Sequence, residues 1–561
     1  MEYYFLLLLI EPITMHIQKV IIENFKCFKG LFKLPLNQGI NILVGNNEAG
    51  KSTILEAIHL ALTGLLHGRY LKNELTQYIF NSEVITTYIT ELEAKGKNAL
   101  LPHILIEVVM AGDDIAEFEG NGNRERAKQA GVSLKIQFND KYQDEYEKLV
   151  QAGGIKTLPV EYYEVHWSSF ARDESITPRT IPIKSALIDS ASNRYQNGSD
   201  IYVSRIIKEF LDDEEIVKIS QSHRQMKEYF MAQSAIQTIN EKIRKAAKIT
   251  EKQIELSVEL SSKNAWESSL MTYLDDVPFH YIGKGEQCII KTKLALGHNK
   301  AKQANMILLE EPENHLSYSK LNQLIDDIQT EQSEKQLLIS THSSFVANKL
   351  GLEHLILLNN QKAARLNDLN PKTQDFFRKL AGYDTLRLIL CKKAILVEGD
   401  SDELVVQRAF REKHNGKLPI EKGIDVISVG TSFLRFLEIA EKVGKPVVVI
   451  TDNDGDITAL EKKYEDYLGP NEKANIKIYY DKTVDTRRGT SDAKPFNFNT
   501  LEPRIVASNN LAKMNTVLGT SYTDIEDLHR YMKANKTDCA LKVFNSNEEI
   551  ELPDYILEAI Q

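Results

Sequence analysis

The chain has 561 residues, room for about three or four domains at roughly 150 residues each. Apolar residues make up 42% and charged residues 26%, which excludes a collagenous, disulfide-rich or wholly disordered chain. Lys and Arg number 69 against 79 Asp and Glu, so the formal net charge is −10. That excludes a generally basic nucleic-acid coat, yet it fits an enzyme with local carboxylates and local basic strips.

The cysteines, Cys27, Cys288, Cys391 and Cys539, form no C-x-x-C pair. No zinc site or disulfide framework is expected, and a reducing cytoplasm is the expected compartment. The apolar run Phe5 to Ile10 is far below the roughly 20 residues of a membrane helix. It lacks a basic flank and a cleavage site, so neither a signal peptide nor a membrane segment is expected. Met15 opens a strand-like stretch and offers a second start, with the residues before it an upstream extension.

In chain order, Met15 to Val44 reads as strands and Ser52 to Leu66 as a helix. Ile104 to Met110 reads as a strand. Lys208 to Leu260 combines dense charge with apolar residues at helical spacing (Ile216, Ile219, Met226, Phe230, Ile236, Ile239, Ile243). It is expected to form long amphipathic helices with a dimerisation role; a solvent-exposed hairpin is the alternative. Ile307 to Leu309 and Gln336 to Ile339 read as buried strands, and Gln361 to Thr373 as a polar linker. From Lys393 the elements alternate: Ala394–Val397, Glu403–Arg411, Ile424–Val429, Phe433–Val443, Val447–Ile450. That rhythm predicts a small α/β unit with a parallel sheet. The fold class is therefore α/β.

Gly45-Asn46-Asn47-Glu48-Ala49-Gly50-Lys51-Ser52, with Thr53 after it, fits G-x-x-x-x-G-K-[ST] between a strand and a helix. Its backbone N–H groups can close around phosphate oxygens at a helix N-terminus. Lys51 can then meet the β/γ-phosphates and Ser52 a Mg²⁺ ion. Met306 to Glu313 is an apolar strand ending in Glu310 and Glu311. Glu310 is the candidate Mg²⁺ partner, and Glu311 the candidate to polarise the attacking water.

Gly283-Lys284-Gly285-Glu286-Gln287 and Thr341-His342-Ser343 complete a series of motifs. The order, together with Ile21-Ile22-Glu23-Asn24-Phe25-Lys26-Cys27-Phe28, resembles ABC-type ATPases of the SMC-like and RecF-like branch. The resemblance implies two ATPase heads sandwiching ATP, with Gly285 and Gln287 touching the γ-phosphate held by the other head. It implies a γ-phosphate switch role for His342. One departure is that Gly283 stands where the usual signature has serine, and Lys284 where it has a small residue.

Ile395 to Asp402 is a strand ending in Glu398, with Asp402 in the first helical turn beyond. Such strand ends are where open α/β sheets bind ligands. Val447 to Ile450 runs into Asp452 and Asp454, whose i, i+2 spacing aims both the same way on an extended backbone. Clustered carboxylates call for Mg²⁺ or Mn²⁺. A calcium loop built on Gly455 would place its first ligand at apolar Ile450, which argues against it.

These strand ends resemble the Toprim fold. An ABC-type ATPase followed by Toprim resembles the OLD (overcoming lysogenization defect) family of nucleases. The resemblance implies metal ligation by Glu398, Asp402, Asp452, Asp454 and Glu502, with Lys536 stabilising charge at the scissile phosphate. It implies two divalent ions at the nuclease site and ATP with Mg²⁺ in the head. It also implies DNA as substrate, a homo-oligomeric dimer or tetramer, and a role in phage or foreign-DNA defence. Some members act with a helicase or with a retron reverse transcriptase and its DNA. Lys482, Arg487, Arg488, Lys494 and Arg504 are candidate DNA-backbone contacts, or a solvated loop.

The expected domains are 15–110 and 277–360 for the ATPase and 111–276 for a mostly helical insertion. A linker follows at 361–390, then Toprim at 391–545 and a tail at 546–561. The expected function is an ATP-regulated, metal-dependent DNA endonuclease, nicking or cutting both strands. The alternative is an ATPase clamp that binds DNA with a non-cleaving Toprim domain. Topoisomerase or primase chemistry would need further modules.

Overall fold

The computed structural model describes residues 15–561 except Asn47, Glu74, Asp114, 190–194, 197–198, 201–210, 247–255, 257–265, 267–271, 298–303, 332–333, 344–345, 348–349, 380–382 and 488–495. Two sheets build the first half. Strand β1 (Met15–Glu23) pairs antiparallel with β2 (Leu31–Pro35). Strand β3 (Ile40–Gly45) leaves for a second sheet and leads into helix Lys51–Thr63. β4 (Ile104–Gly112), β5 (Gln129–Phe138) and β6 (Tyr163–Ser169) complete the antiparallel sheet.

The second sheet gathers β7 (Ser185–Asp189), β8 (Met306–Glu310), β9 (Gln336–Thr341), β10 (Leu355–Asn359) and β11 (Lys362–Arg365). Its order is β7-β8-β9-β3-β10-β11, parallel except for the last strand. β3, β8, β9 and β10 are continuous apolar runs because both faces of a parallel sheet are covered. Helix Lys51–Thr63 lies between the two sheets, with Ile54, Leu55, Ile58 and Ala61 fully buried.

The third sheet is all parallel. It holds β12 (Lys393–Val397), β13 (Ile424–Ser428), β14 (Val447–Ile450) and β15 (Ile476–Tyr479), in the order β13-β12-β14-β15. Its strand–helix rhythm matches the sequence reading, and helix Phe433–Val443 has the predicted bounds.

Three expectations on domain bounds change. Among its described residues, segment 111–276 is not mostly helical: β5, β6 and β7 lie in it and belong to the two sheets of the first half. Its described helices include Gln143–Ala152, Asp213–Ala232 and Ser234–Ala246. The alternation of β5 supports a half-buried strand, a signal that the dense charge further along obscured. Segment 361–390 is not a loose linker. It forms β11 and helices Pro371–Lys379 and Tyr383–Leu390. The tail 546–561 folds back as helix Asp554–Ala559, with Ile550, Leu552, Ile556 and Ile560 in the core of the C-terminal domain.

One apolar cluster runs from the parallel sheet of the first half (Ile42, Ile339, Leu357) through Phe377 and Ile389 to the third sheet (Leu396, Val449) and helix Phe433–Val443 (Phe436). Polar ties cross the same junction. Arg387 forms a two-pronged pair with Asp425 at 3.0 and 2.8 Å. Asn359 donates to Val443 O at 3.0 Å. Fully buried Lys445 donates to Ile389 O at 2.7 Å and Cys391 O at 2.6 Å. Phe436 meets Phe377 edge-on, centroids 5.2 Å apart. Phe436→Ala should cost about 3–5 kcal/mol. Urea unfolding followed by circular dichroism should shift both halves together, and two separate transitions would contradict the shared core.

Candidate functional site

Helix Lys51–Thr63 starts at Gly50, whose φ is +92°. A Cβ there would lie 2.7 Å from Phe28 Cζ and 2.9 Å from Cys27 Sγ, so the turn demands glycine twice over. Lys51 is 3% exposed. Its Nζ donates to Gly45 O at 2.9 Å and Asn46 O at 3.1 Å, and lies 2.8 Å from His342 Nε2. Burial lowers its pKa to about 8, against the pull of Glu311, Glu313 and Glu310. Ser52 hydrogen-bonds to Glu310. Ala49 is buried and Glu48 exposed. Thr53 faces inward, accepting from Cys27 Sγ at 3.5 Å. Asn47 lies outside the described residues.

Parallel pairing sets β7, β8 and β9 side by side, with Glu310 between Asp189 and Ser340. Burial raises the Glu310 pKa, and the charges of Asp189, Glu56 and Glu311 add to it. Glu311 sits at φ +40°, a left-handed conformation rare outside glycine. Its Oε1 is 3.1 Å from His342 Nε2, and its Oε2 accepts from Asn314 at 3.0 Å. The histidine contact above all holds the Glu311 pKa at about 2. One ring nitrogen thus faces both an ammonium and a carboxylate. It cannot accept from Lys51 and donate to Glu311 at once.

Glu313 was missed at the sequence level as a positioning group. Its Oε1 accepts from Thr341 Oγ1 at 2.7 Å and His342 N at 2.8 Å, which fixes the histidine. Asp189 was missed too, because only strand register brings it beside Glu310.

Gly285 lies at the start of helix Lys284–Gly297, and a Cβ there would come within 2.4 Å of His315 O. Gln287 departs from the expected phosphate contact. It is 2% exposed and donates to Phe279 O at 2.9 Å and Ile282 O at 2.8 Å, so its amide braces the loop.

Beside the phosphate loop opens a cleft of about 830 Å³. Asn46, Glu48 and His342 line one side, Arg387, Lys392 and Asp425 the other. With its amide nitrogen turned toward the helix end, Asn46 donates to Leu390 O at 2.5 Å and Ile389 O at 3.2 Å. The phosphate loop therefore touches the helix that leads into β12.

The second candidate site stands at the C-terminal edge of the third sheet. Glu398 follows β12, and Gly399 N donates to Asp402 Oδ2 at 2.9 Å in the first turn of helix Asp400–Lys413. Asp452 follows β14. Its Oδ2 accepts from Leu501 N at 3.1 Å, and its Oδ1 from Tyr555 Oη at 3.4 Å. Glu502 is 6% exposed, with Lys536 Nζ 3.3 Å from its Oε1. Burial, then the charges of Glu398 and Glu502, raise Asp402 to about 6. Burial and Asp402 push Asp452 well above the usual carboxylate range. Burial works against the Lys536 charge, but Glu502, Asp402 and Asp452 outweigh it and raise its pKa.

Asp454 departs from the expected alignment with Asp452. Its φ is +47°, and it stands exposed with Asn497 Nδ2 3.1 Å from its Oδ1. The turn begins before the i, i+2 geometry of a strand can apply. Among the described residues, no group of three or more His, Cys, Asp or Glu side chains is drawn together as a formed metal site. The donor set nevertheless fits a hard divalent cation: neighbouring carboxylate oxygens, with the charges of Glu398 and Glu502 adding to the raised pKa of Asp402 and Asp452.

Of the candidate DNA contacts, Lys482 is exposed. Arg487 is exposed but paired with Asp485 at 2.5 Å. Arg504 is largely buried, pairing with Asp481 at 2.9 Å and donating to Thr483 O at 2.7 Å. It braces the loop rather than facing solvent. Arg488 and Lys494 lie outside the described residues.

Residues 19–381 match the family model described as an AAA domain. Residues 389–454 match the model described as "Overcoming lysogenization defect protein-like, TOPRIM domain". The DNA replication and repair protein RecF of Vibrio campbellii is 38% identical over 69 residues, 12% of this chain and 18% of that protein. The chain thus spans less than a fifth of that relative's length. A structure of the recombination mediator protein RecF-ATPrS in the RecFOR pathway covers 63% of this chain and 98% of its own, with 11% identity and a TM-score of 0.33. The C-terminal region of the Xanthomonas campestris OLD protein covers 30% of this chain and 92% of its own, with 22% identity and a TM-score of 0.22.

Two predictions follow from the geometry. Lys51→Ala should weaken ATP binding by about 1.5–3 kcal/mol, as loss of a charged hydrogen-bond donor does; titration with a fluorescent ATP analogue reads it, and unchanged affinity would sink the phosphate-loop assignment. The raised Asp402 pKa means the neutral form favours the fold. That contribution is complete below the unfolded value near 4 and is lost as pH rises through about 6. Without divalent metal, Asp402→Asn should therefore stabilise the protein at pH 8 by on the order of 1–2 kcal/mol and not at pH 4. Thermal melts at the two pH values check this.

Proposed function

Because this chain belongs to the AAA domain family across residues 19–381 and carries an OLD-like TOPRIM domain over 389–454, we propose that it is an ATP-regulated, divalent-metal-dependent DNA endonuclease. One observation carries the reading: at one sheet edge Asp402 and Asp452 lie within electrostatic reach of Glu398 and Glu502, with Lys536 beside Glu502. Those carboxylates would hold Mg²⁺ or Mn²⁺, and in this class of chemistry two such ions supply an activated water and a stabilised leaving oxygen.

Lys536 sits where it can offset charge growing on the scissile phosphate. Glu502 holds that ammonium in place and above its ordinary pKa, so it stays charged. Asp454, at the exposed rim, would have to turn from Asn497 to join the other carboxylates. In the ATPase half, Lys51 would leave His342 for the phosphates. His342 Nε2 is then released to meet the γ-phosphate, and Glu311 to orient water. ATP either gates the nuclease by binding or is hydrolysed.

Helix Asp213–Ala232 has no buried residue, and Met226, Tyr229 and Phe230 are exposed on it. That surface supports a homo-oligomer joined through the insertion as well as the ATPase domains. No helix among the described residues is long and apolar enough to cross a membrane. Four free cysteines suit a reducing cytoplasm. The TOPRIM kinship supports a role in defence against phage or foreign DNA. A second reading, an ATPase clamp that holds DNA without cutting it, is favoured by the outward placement of Asp454.

Supercoiled plasmid with Mg²⁺ or Mn²⁺, with and without ATP, separates the readings. Nicked or linear product is expected, and it should disappear in Asp452→Ala. Glu398→Ala should also abolish cleavage while ATP affinity stays at the wild-type value. Intact plasmid in every lane would favour the clamp.

A further inference from the structure

The last helix, Asp554–Ala559, packs against β14 and β15. It is pinned from outside: Lys413 Nζ donates to Leu557 O at 3.1 Å, and His414 Nε2 lies 3.2 Å from Ile560 O. Arg408 donates to Glu548 O at 2.9 Å and so fixes the segment that leads into it. Tyr555, 6% exposed, is thereby held with its hydroxyl on Asp452 Oδ1.

A carboxylate offers about four lone-pair sites, two on each oxygen. Leu501 N takes one site on Oδ2 and Tyr555 Oη one on Oδ1. The two donors come from segments far apart in sequence. They leave one free site on each oxygen and fix the plane of the carboxylate. A carboxylate with only one donor would swing about its Cβ–Cγ bond, toward its like-charged neighbours or away from them.

We propose that Tyr555 is a positioning residue for the nuclease site, its hydroxyl fixing the Asp452 carboxylate in the orientation that accepts a divalent cation. The inference rests on the reading of Asp452 as a metal ligand. It assigns a role in the metal site to a residue beyond the carboxylates and the lysine.

Isothermal titration of the nucleotide-free full chain with Mn²⁺ tests it, using wild type, Tyr555→Phe, Tyr555→Leu and Asp452→Ala. Phenylalanine keeps the ring and removes only the hydroxyl. Tyr555→Phe should bind Mn²⁺ about three- to tenfold more weakly, the effect of one lost hydrogen bond, with an unchanged metal-free melting temperature. Tyr555→Leu should bind as weakly and also melt lower. In cleavage assays the phenylalanine variant should need more Mn²⁺ for half-maximal rate and recover at saturation. Wild-type affinity in Tyr555→Phe would overturn the proposal and leave the metal-site reading standing. So would a phenylalanine variant that melts as low as the leucine one, since the hydroxyl would then be a structural anchor. If wild type and Asp452→Ala bind alike, or neither binds, the metal-site reading fails and this inference with it.

Discussion

Parallel strand pairing decides where chemistry can happen in this chain. Neighbouring parallel strands end at the same edge, so the side chains that follow them are forced together however far apart they lie in sequence. In the ATPase half, the ends of β3, β8 and β9 bring Lys51, Glu310 and His342 to one place. In the C-terminal domain, the ends of β12 and β14 bring Glu398 and Asp452 together, and Glu502 and Lys536 close the site from helices.

The two edges store opposite kinds of electrostatic tension. At the nucleotide edge a buried ammonium and a carboxylate compete for one imidazole nitrogen. A phosphate on the loop would relieve that competition by giving Lys51 a better partner. At the C-terminal domain's edge the tension is repulsion among carboxylates, which protonation or a bound cation relieves. Strained backbone marks both places: Glu311 and Asp454 occupy left-handed conformations that glycine would adopt more easily. Each site is thus less comfortable alone than with its guest.

Much of this was legible in the sequence, and the rest was hidden for identifiable reasons. The phosphate loop and the strand–helix rhythm after Lys393 are local patterns, so motif spacing and periodicity found them. Asp189, Glu313 and Tyr555 act through register, a side chain turned back on a loop, and a chain end folded inward. None of these leaves a local signature. The family resemblance implied a phosphate contact for Gln287, and residue type offered Arg504 as a DNA contact, but Gln287 is a buried brace and Arg504 pairs with Asp481. Residue type shows what a side chain can bond to, and packing decides which way it faces. The helical reading of 111–276 extended the character of helices such as Asp213–Ala232 over strands whose alternation is shorter and weaker.

The apolar cluster that crosses from the first half to the third sheet has a consequence for modularity. The TOPRIM half is not a detachable cartridge. Helix Phe433–Val443 turns Phe433, Phe436 and Leu437 into the shared interior, against β10 and β11. A fragment cut at the family boundary near residue 389 would expose that face and leave Asp425 without its Arg387 partner. Any exchange of this domain between proteins has to carry its covering surface along, so the ATPase half and the TOPRIM domain are constrained to evolve as one body.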